Sequence, residues 1–306
     1  MSQELDTLLP ENRLNHVWST EAYDALTEPG TVWARKKQLI PPPDLSEIQE
    51  KLDLGRRFQA PIMAEFAARE GIQYSEADYA MYHPKVAIAS HYDYISSDRT
   101  KLYEVKNLGI HQRKHYGEAG TDHVHPRYRA QMLHEAACHG ILDVTLVVCF
   151  GGETIKNYPI VFSPDEVDTH VKTMAEFWAK VQTDTKPENL PEEAIRALYP
   201  ISRPASVVAT SQVIEAARRL AAIKAEIKRL EGDEQTAGTE KWLRKMIVNY
   251  LGQNDTLLDV DGSVLATWKT SKESKKFDAE KLKEEMPEIY QRFQKTVQGS
   301  RPLLIK

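Results

Sequence analysis

Two strand-like runs in this sequence carry acidic residues that the pleat of a sheet would bring to one point. The first run, residues 86–95, contains Asp93, and the second, residues 101–106, contains Glu104 and Lys106. Because side chains alternate between the two faces of a strand, Glu104 and Lys106 are predicted to share a face while Val105 points into the opposite, apolar layer. The sequence therefore predicts that two carboxylates and one ammonium group converge.

Carboxylate oxygens are hard ligands that suit Mg²⁺ or Mn²⁺, and a lysine beside such an ion can orient an attacking water or help to deprotonate it. Asp93 and Glu104 are accordingly candidate metal ligands, and Lys106 is the candidate for positioning the water. This combination suits hydrolysis of a phosphodiester bond. A Glu-x-Lys pair by itself is common on exposed strands, so the surrounding elements decide the interpretation.

Helices are predicted on either side of the two runs. One with an apolar face covers residues 58–69, and another begins near Tyr128 and contains Gln131. Gln131 would hydrogen-bond the attacking water or the scissile phosphate, although a polar residue near a helix N-terminus needs no function. The order helix, strand hairpin, helix resembles the core of the PD-(D/E)XK nucleases. The expected fold class is α/β, a restriction-endonuclease-like core with a mixed central sheet flanked by helices, followed by an α+β C-terminal extension.

Composition and charge limit the kind of partner and the location of the protein. The 306 residues carry a formal net charge of −5, so any DNA contact must be local rather than spread over a basic surface. No apolar run reaches the roughly eighteen residues of a membrane span, and residues 1–14 are polar and acidic, so neither a membrane segment nor a signal peptide is expected. We expect a cytoplasmic protein. Cys138 and Cys149 lie in apolar stretches and are expected to be buried thiols.

A set of basic residues is predicted to contact DNA phosphates, although any one of them would also suit a solvated face. The set comprises Arg56, Arg57, Lys85, Arg113, Lys114, Arg127 and Arg129. Six of the ten histidines fall between His111 and His139. Since no Cys-x-x-Cys pair accompanies them, we expect no zinc site and place these histidines near the DNA or at the surface.

Four short segments together resemble the YqaJ-type viral recombinases, relatives of phage lambda exonuclease. They are residues 55–59, 89–95, 103–106 and 128–134, and the block from Asp93 to Gln131 is the most specific. Residues 13–21 are similar to the N-terminal segment of that family, in which an arginine and, seven residues later, a hydroxyl residue bind the 5′-phosphate of a DNA end. Here these residues are Arg13 and Thr20. Residues 277–306 resemble the C-terminal extension of the longer members.

The resemblance implies a Mg²⁺-dependent deoxyribonuclease, with Mn²⁺ able to substitute. It would digest double-stranded DNA ends from 5′ to 3′ and leave single strands for an annealing protein in the cytoplasm of a bacterial host cell. It also suggests a homo-oligomer, a ring-shaped trimer around the product strand. Two alternatives remain open: a structure-selective endonuclease or nickase on the same fold, and a catalytically weak DNA-binding scaffold for recombination.

Position 59 departs from the family pattern. The family has a glutamate there that contributes to the metal site, and this chain has Gln59, whose amide oxygen is neutral. Asp93, Glu104 and the Val105 carbonyl can still hold one ion, while a second ion loses electrostatic attraction. Glu65, six residues further along the helix, is rotated away from the Gln59 face. The departure fits a one-metal nuclease, an attenuated nuclease or a DNA-binding protein that keeps the fold.

The remainder of the chain is predicted to form a separate module. Residues 1–186 are assigned to the nuclease domain, the proline-rich residues 187–205 to a linker and residues 206–306 to a helical extension with a β-hairpin. An apolar stripe over residues 213–230 predicts a helix that folds back on its own chain or joins another as a coiled coil. A helix over residues 239–251, a hairpin turn at Asp261-Gly262 and a last helix over residues 278–294 are predicted to follow.

Overall fold

The computed structural model describes residues 10–76, 80–274, 277–296, 299 and 302–304. The chain forms two compact units, Met1–Pro200 and Ile201–Lys306. The beginning of the acidic N-terminal stretch, residues 1–9, lies outside the described residues, as do residues 297, 298, 300, 301, 305 and 306 of the tail that resembles the family's extension.

A five-stranded sheet forms the centre of the first unit. In spatial order its strands are β2 (Tyr74–Glu76), β5 (Tyr94–Ser96), β6 (Lys101–Leu108), β7 (Asp143–Phe150) and β8 (Thr154–Val161). Strands β6 and β7 are parallel, and the other neighbours are antiparallel. With helices on both faces, this mixed sheet confirms the predicted α/β class.

A smaller sheet explains the position of Asp93. Its strands, in spatial order, are β1 (Val17–Trp18), β4 (Ile88–Ser90) and β3 (Met81–Tyr82). The prediction of one strand over residues 86–95 is wrong, because β4 pairs in the small sheet and β5 in the large one. Asp93 lies in the short connection between β4 and β5, where its backbone belongs to neither sheet.

Helices cover both faces of the central sheet. The helices of this unit are α1 (Pro10–Asn15), α2 (Ala22–Thr27), α3 (Pro29–Lys36), α4 (Gln49–Glu70), α5 (Pro126–His139), α6 (Pro164–Gln182) and α7 (Glu192–Leu198). On one face, Met63 of α4 packs in a buried cluster with Val105. On the other, Met132 and Ala136 of α5 pack with Leu146. Helix α4 begins nine residues before the predicted start at Phe58, so Arg56 and Arg57 lie inside it rather than at its beginning.

The segment 187–205, which was predicted to be a linker, is only partly one. It contains α7, whose Ala194 is fully buried, and Leu190 and Leu198 pack against the same cluster. A Cβ at Gly30 would lie 1.8 Å from the Asn189 carbonyl oxygen, so glycine is required where this segment crosses α3. The first unit therefore extends to Pro200.

A buried pair of histidines ties three elements of the first unit together. His134 on α5 has its Nε2 atom 3.0 Å from the Val17 carbonyl oxygen, and its Nδ1 atom is 3.0 Å from Nε2 of His170 on α6. The expectation of a surface position is wrong for His134, which is fully buried because α5 packs between β1 and α6. Cys138 and Cys149 are free, buried thiols, as predicted.

The second unit contains the elements predicted for it, with one difference. They are α8 (Ser211–Glu231), α9 (Glu240–Leu251), β9 (Thr256–Leu258), β10 (Val264–Thr267), α10 (Ala279–Glu285) and α11 (Pro287–Arg292). The last predicted helix is divided, because Pro287 forces Met286 out of the helical conformation. The stripe on α8 does not pack inward, and Ile223 and Leu230 are 48% and 50% exposed. Within the described residues, no helix is both long and apolar enough for a membrane span.

Candidate functional site

Strand β6 presents Glu104 and Lys106 on one face, as the alternation predicted. The Lys106 ammonium group contacts Oε1 of Glu104 directly, and the Glu104 side chain is nearly fully buried while that of Lys106 is 23% exposed. Val105, between them, is buried in the opposite layer beneath α4. The predicted convergence of Glu104 and Lys106 is therefore present in the structure.

Asp93 approaches the same strand from its edge. Its Oδ2 atom accepts a hydrogen bond of 2.8 Å from the Val105 backbone N–H, beyond the last residue pair of the β5–β6 ladder, Tyr94 with Tyr103. The N–H and C=O of one strand residue point to the same edge, so the Val105 carbonyl faces the side on which Asp93 lies. The Asp93 carboxyl group and the Val105 carbonyl oxygen thus lie on the same side of β6, where Asp93 also interacts with the Glu104 carboxyl group.

Gln131 reaches the cluster from α5. This helix begins with Pro126 and is capped by His125, whose Nδ1 accepts from the Arg127 N–H at 3.2 Å. The amide nitrogen of Gln131 donates to Oε1 of Glu104 at 2.6 Å. The structure thus brings together all four residues predicted to be catalytic: Asp93, Glu104, Lys106 and Gln131.

A further acid that the sequence analysis did not identify belongs to this cluster. Glu135 lies one turn after Gln131 on α5, and its Oε1 accepts from the same amide nitrogen at 2.9 Å. Residues four apart share a helix face, so the spacing from Gln131 was an available signal. The sequence did not show that this face of α5 would be completely buried, as it is at Glu135.

Burial and mutual repulsion shift the ionisation of the cluster. Burial, with added repulsion from Glu104, raises the pKa of Asp93 to about 7. The same two causes raise the pKa of Glu135 well above its usual range. Burial alone would lower the pKa of Lys106, but the attraction of Glu104 and Asp93 outweighs it and the pKa is raised. Lys106 is therefore a charged ammonium at neutral pH.

The unpaired oxygens of the cluster suit a hard cation. Oε2 of Glu104 and Oε2 of Glu135 are buried and have no hydrogen-bond partner among the described residues. Over the same residues, no three His, Cys, Asp or Glu side chains are grouped as a complete metal site. Mg²⁺ does not need such a group, because it is commonly held by one or two carboxylates with water and substrate oxygens completing its shell.

Gln59 lies on the helix that covers the opposite face of the sheet. It is half-buried on α4, and no hydrogen bond of its side chain is found within the described part of the chain. Glu65, six residues further along the same helix, is exposed and paired with Arg69 at 2.7 Å. The predicted contribution of Gln59 to a metal site stays a prediction.

The structure brings Arg13 and Thr20 together at the N-terminal segment. An Arg13 guanidinium nitrogen lies 3.4 Å from the Thr20 hydroxyl oxygen, and the group lies over the Trp18 ring at 4.7 Å. Lys36, buried on α3, holds this segment by donating to the Arg13 carbonyl at 2.5 Å and pairing with Glu21 at 2.6 Å. Both predicted phosphate-binding side chains are exposed, so a ligand can reach them.

The remaining basic residues differ in how free they are. Arg127 is paired with Asp24 at 2.6 Å and Arg129 with Glu166 at 2.7 Å, so both guanidinium groups already have an acidic partner. Arg113 and Lys114 are exposed on a 3₁₀ turn and line a cavity of about 380 Å³ that Lys156 also lines. Arg56 and Arg57 are exposed on α4. Contact of these residues with DNA stays a prediction.

No protein-family model matches the sequence, and no curated protein matches it significantly. Among solved structures, the chain is similar to an alkaline exonuclease, LHK-Exo, from Laribacter hongkongensis, with 15% identity, a TM-score of 0.45 and coverage of 57% of this chain and 91% of that one. It is also similar to a phage-related exonuclease from Haemophilus somnus 129PT, with 13% identity, a TM-score of 0.38 and coverage of 57% and 99%. At this level of similarity, the functional argument depends on the residues of the site.

Proposed function

We propose that this chain is a divalent-metal-dependent deoxyribonuclease that digests double-stranded DNA from its ends in the 5′ to 3′ direction. The observation that carries the proposal is the contact of Glu104 with both Lys106 and Gln131 beside Asp93. Ionisable groups with strongly shifted pKa values, gathered at one partly accessible point, are characteristic of functional sites. Their kinds, two acids, a lysine and an amide, suit phosphodiester hydrolysis.

Asp93, Glu104 and the Val105 carbonyl would hold Mg²⁺, or Mn²⁺ in its place. Such an ion, when bound, polarises the phosphate and lowers the pKa of the attacking water. The Gln131 amide, which donates to Glu104 in the structure, would instead hydrogen-bond the water or a phosphate oxygen. The assignment is supported by Oε2 of Glu104, a buried carboxylate oxygen that lacks a partner among the described residues.

Lys106 would orient the water and stabilise negative charge on the phosphate. Its raised pKa keeps the ammonium protonated, which favours donation of hydrogen bonds over removal of a proton from the water. A bound cation beside Glu104 would compete for that carboxylate and leave the ammonium free to turn toward substrate. This role requires the positive charge of the side chain.

Arg13 and Thr20 would hold the terminal 5′-phosphate and so impose direction. A guanidinium group binds phosphate oxygens with two parallel hydrogen bonds, and the hydroxyl adds a third. The single strand left by the digestion would pass to a single-strand annealing protein. A ring-shaped trimer would keep the enzyme on that strand.

Linear and closed circular duplex DNA distinguish this function from its alternatives. In Mg²⁺, the protein is expected to convert linear duplex to acid-soluble nucleotides while circles of the same sequence stay intact, because digestion requires an end. Excess EDTA is expected to stop the reaction. Cutting of circles would instead indicate an endonuclease or nickase, and binding without any cleavage would indicate a scaffold.

Removal of the 5′-phosphate tests the end-binding site. Dephosphorylated linear DNA is expected to be digested at least about tenfold more slowly, since the loss of even one charged hydrogen bond costs roughly 1.5 kcal/mol. Arg13→Ala is expected to digest both substrates at the slower rate. Arg196→Ala, which removes an exposed arginine from α7, serves as the control. Equal digestion of both ends by the unaltered protein would contradict the assignment of Arg13 and Thr20.

A further inference from the structure

Glu135 is a buried acid to which the mechanism above gives no role. Its side chain is fully buried, and its Oε2 atom has no hydrogen-bond partner among the described residues. A buried carboxylate without compensation is destabilising by about 1–3 kcal/mol for the missing hydrogen bond alone, and by more if it is charged. An apolar side chain of similar size would avoid this cost, so the acid at this position needs an explanation.

Gln131 lies between the carboxylates of Glu135 and Glu104. Its one amide nitrogen donates to Oε1 of Glu104 at 2.6 Å and to Oε1 of Glu135 at 2.9 Å. An amide nitrogen carries two hydrogens, so both are used, and both Oε2 atoms are left over. A neutral donor therefore lies at the point between two acids where a cation would be expected.

Acids also outnumber bases around this point. The carboxyl groups of Asp93, Glu104 and Glu135 all act on the ammonium group of Lys106. With all four groups ionised, the cluster would carry two negative charges in excess. A divalent cation would balance that excess, whereas a second hydrogen-bond donor would not.

The elements of the fold place Glu135 on one face of the sheet, and Gln59 and Glu65 on the helix of the other face. Gln59 and Glu65 belong to α4, which covers the Val105 face of the sheet, and Glu65 is exposed and paired with Arg69. Glu135 belongs to α5, which covers the face that carries Glu104 and Lys106. The carboxylate absent at position 59 thus has a counterpart on the helix of the other face.

We propose that Glu104 and Glu135 form a second position for a divalent cation, and that Glu135 replaces the acid missing at position 59. This inference rests on the proposed function for the first ion, at Asp93 and Glu104. Gln131 is then a positioning residue in the ion-free protein, where its amide bridges the two carboxylates. It moves aside when the cation binds, and its oxygen or nitrogen becomes available to water or phosphate.

Titration of the whole, DNA-free protein with Mn²⁺, followed by electron paramagnetic resonance of the free ion, tests the proposal without any use of activity. Glu135→Gln is expected to bind one ion fewer per chain than the unaltered protein, or to bind one ion at least tenfold more weakly. Glu135→Asp, which keeps the charge on a shorter side chain, is expected to retain both ions with weaker binding of one. Glu176→Gln, an exposed residue of α6, is the matched control and is expected to bind as the unaltered protein does.

The outcomes separate this inference from the proposed nuclease function. Unchanged number and affinity of ions in Glu135→Gln would overturn the inference and would identify Glu135 as a protonated partner of Gln131 with a structural role. Such a protein could still cleave DNA with one ion. Conversely, the unaltered protein could fail to cleave DNA while Glu135→Gln still loses an ion. That result would support the second cation position and would refute the proposed nuclease function. Melting curves with and without Mn²⁺ show whether each variant is folded. If Glu135→Gln does not fold, a rise in Tm on ion binding that is smaller for Glu135→Asp than for the unaltered protein supports the inference.

Discussion

Replacing Lys106 by methionine is expected to slow cleavage of linear DNA by about a thousandfold, while the protein stays folded. Methionine keeps the length and apolar stem of lysine and removes the charge that contacts Glu104. General acid-base and charge-stabilising groups commonly contribute factors of about 10²–10⁴, and a thousandfold corresponds to about 4 kcal/mol of transition-state stabilisation. Initial rates in saturating Mg²⁺, on linear duplex with a 5′-phosphate, measure the effect.

Lys101 provides the control for this substitution. It lies on the same strand and is paired with Asp143 at 3.1 Å, away from the acidic cluster. Lys101→Met is expected to change the rate by less than about threefold, because the ion-pair partner of Lys101 is Asp143 and not a residue of the acidic cluster. If Lys106→Met retained more than a few per cent of the rate with the ions bound, Lys106 would have no role in the chemistry.

The ion-free protein is expected to lose stability as the pH rises from about 4 to about 7, and Asp93 is expected to be a main cause. The pKa of Asp93 rises from 3.8 to about 7 on folding, so folding favours the protonated carboxyl. The stabilisation is complete below the unfolded pKa and is lost as the pH rises through the folded one. The shift of about three pH units corresponds to at most about 4 kcal/mol, and solvent contact of this half-buried group reduces it to roughly 2–4 kcal/mol.

Urea unfolding in EDTA at several pH values, for the unaltered protein and for Asp93→Asn, measures this contribution. The difference between the two proteins is the useful quantity, because buried His134 and His170 have lowered pKa values and produce the opposite slope in both. Asp93→Asn is expected to gain stability relative to the unaltered protein as the pH rises, and Asp122→Asn, an exposed residue, is not. Parallel curves for all three proteins would show that Asp93 is ionised normally in the folded state.

The sequence was sufficient for the part of the site that depends on strand geometry. Alternation along residues 101–106 predicted that Glu104 and Lys106 share a face and that Val105 is buried on the other, and both predictions are confirmed. The position of Asp93 could not be predicted from strand alternation alone. An apolar run over residues 86–95 does not reveal that the chain changes sheets at this point, because β4 pairs with β1, where Ile88 lies opposite Val17, far earlier in the chain.

Glu135 shows why the rest of the site could not be predicted. On a helix, an acid among apolar residues is usually turned to solvent, and the sequence does not specify which face of α5 meets the sheet. The packing of Met132 and Ala136 against Leu146 decides that face and carries Glu135 inward with Gln131. Similarly, the ion pairs of Arg127 and Arg129 with acids far along the chain, Asp24 and Glu166, become visible only in the folded protein.

The contacts of His134 and His170 determine where each imidazole proton lies. The Val17 carbonyl can only accept, so Nε2 of His134 carries the proton and its Nδ1 accepts from Nε2–H of His170. Because burial lowers the pKa of His134 to about 3 and that of His170 to about 4, both rings remain neutral near pH 7 in this single pair of tautomers. The two hydrogen bonds are donated in the same direction. One goes from α6 to the helix that carries Gln131, and the other goes from that helix to the strand that leads into Thr20. The backbone at Val17, three residues before Thr20, is therefore held directly to the helix that carries Gln131, so the proposed 5′-phosphate position and the proposed cleavage position would keep a fixed separation in the folded protein.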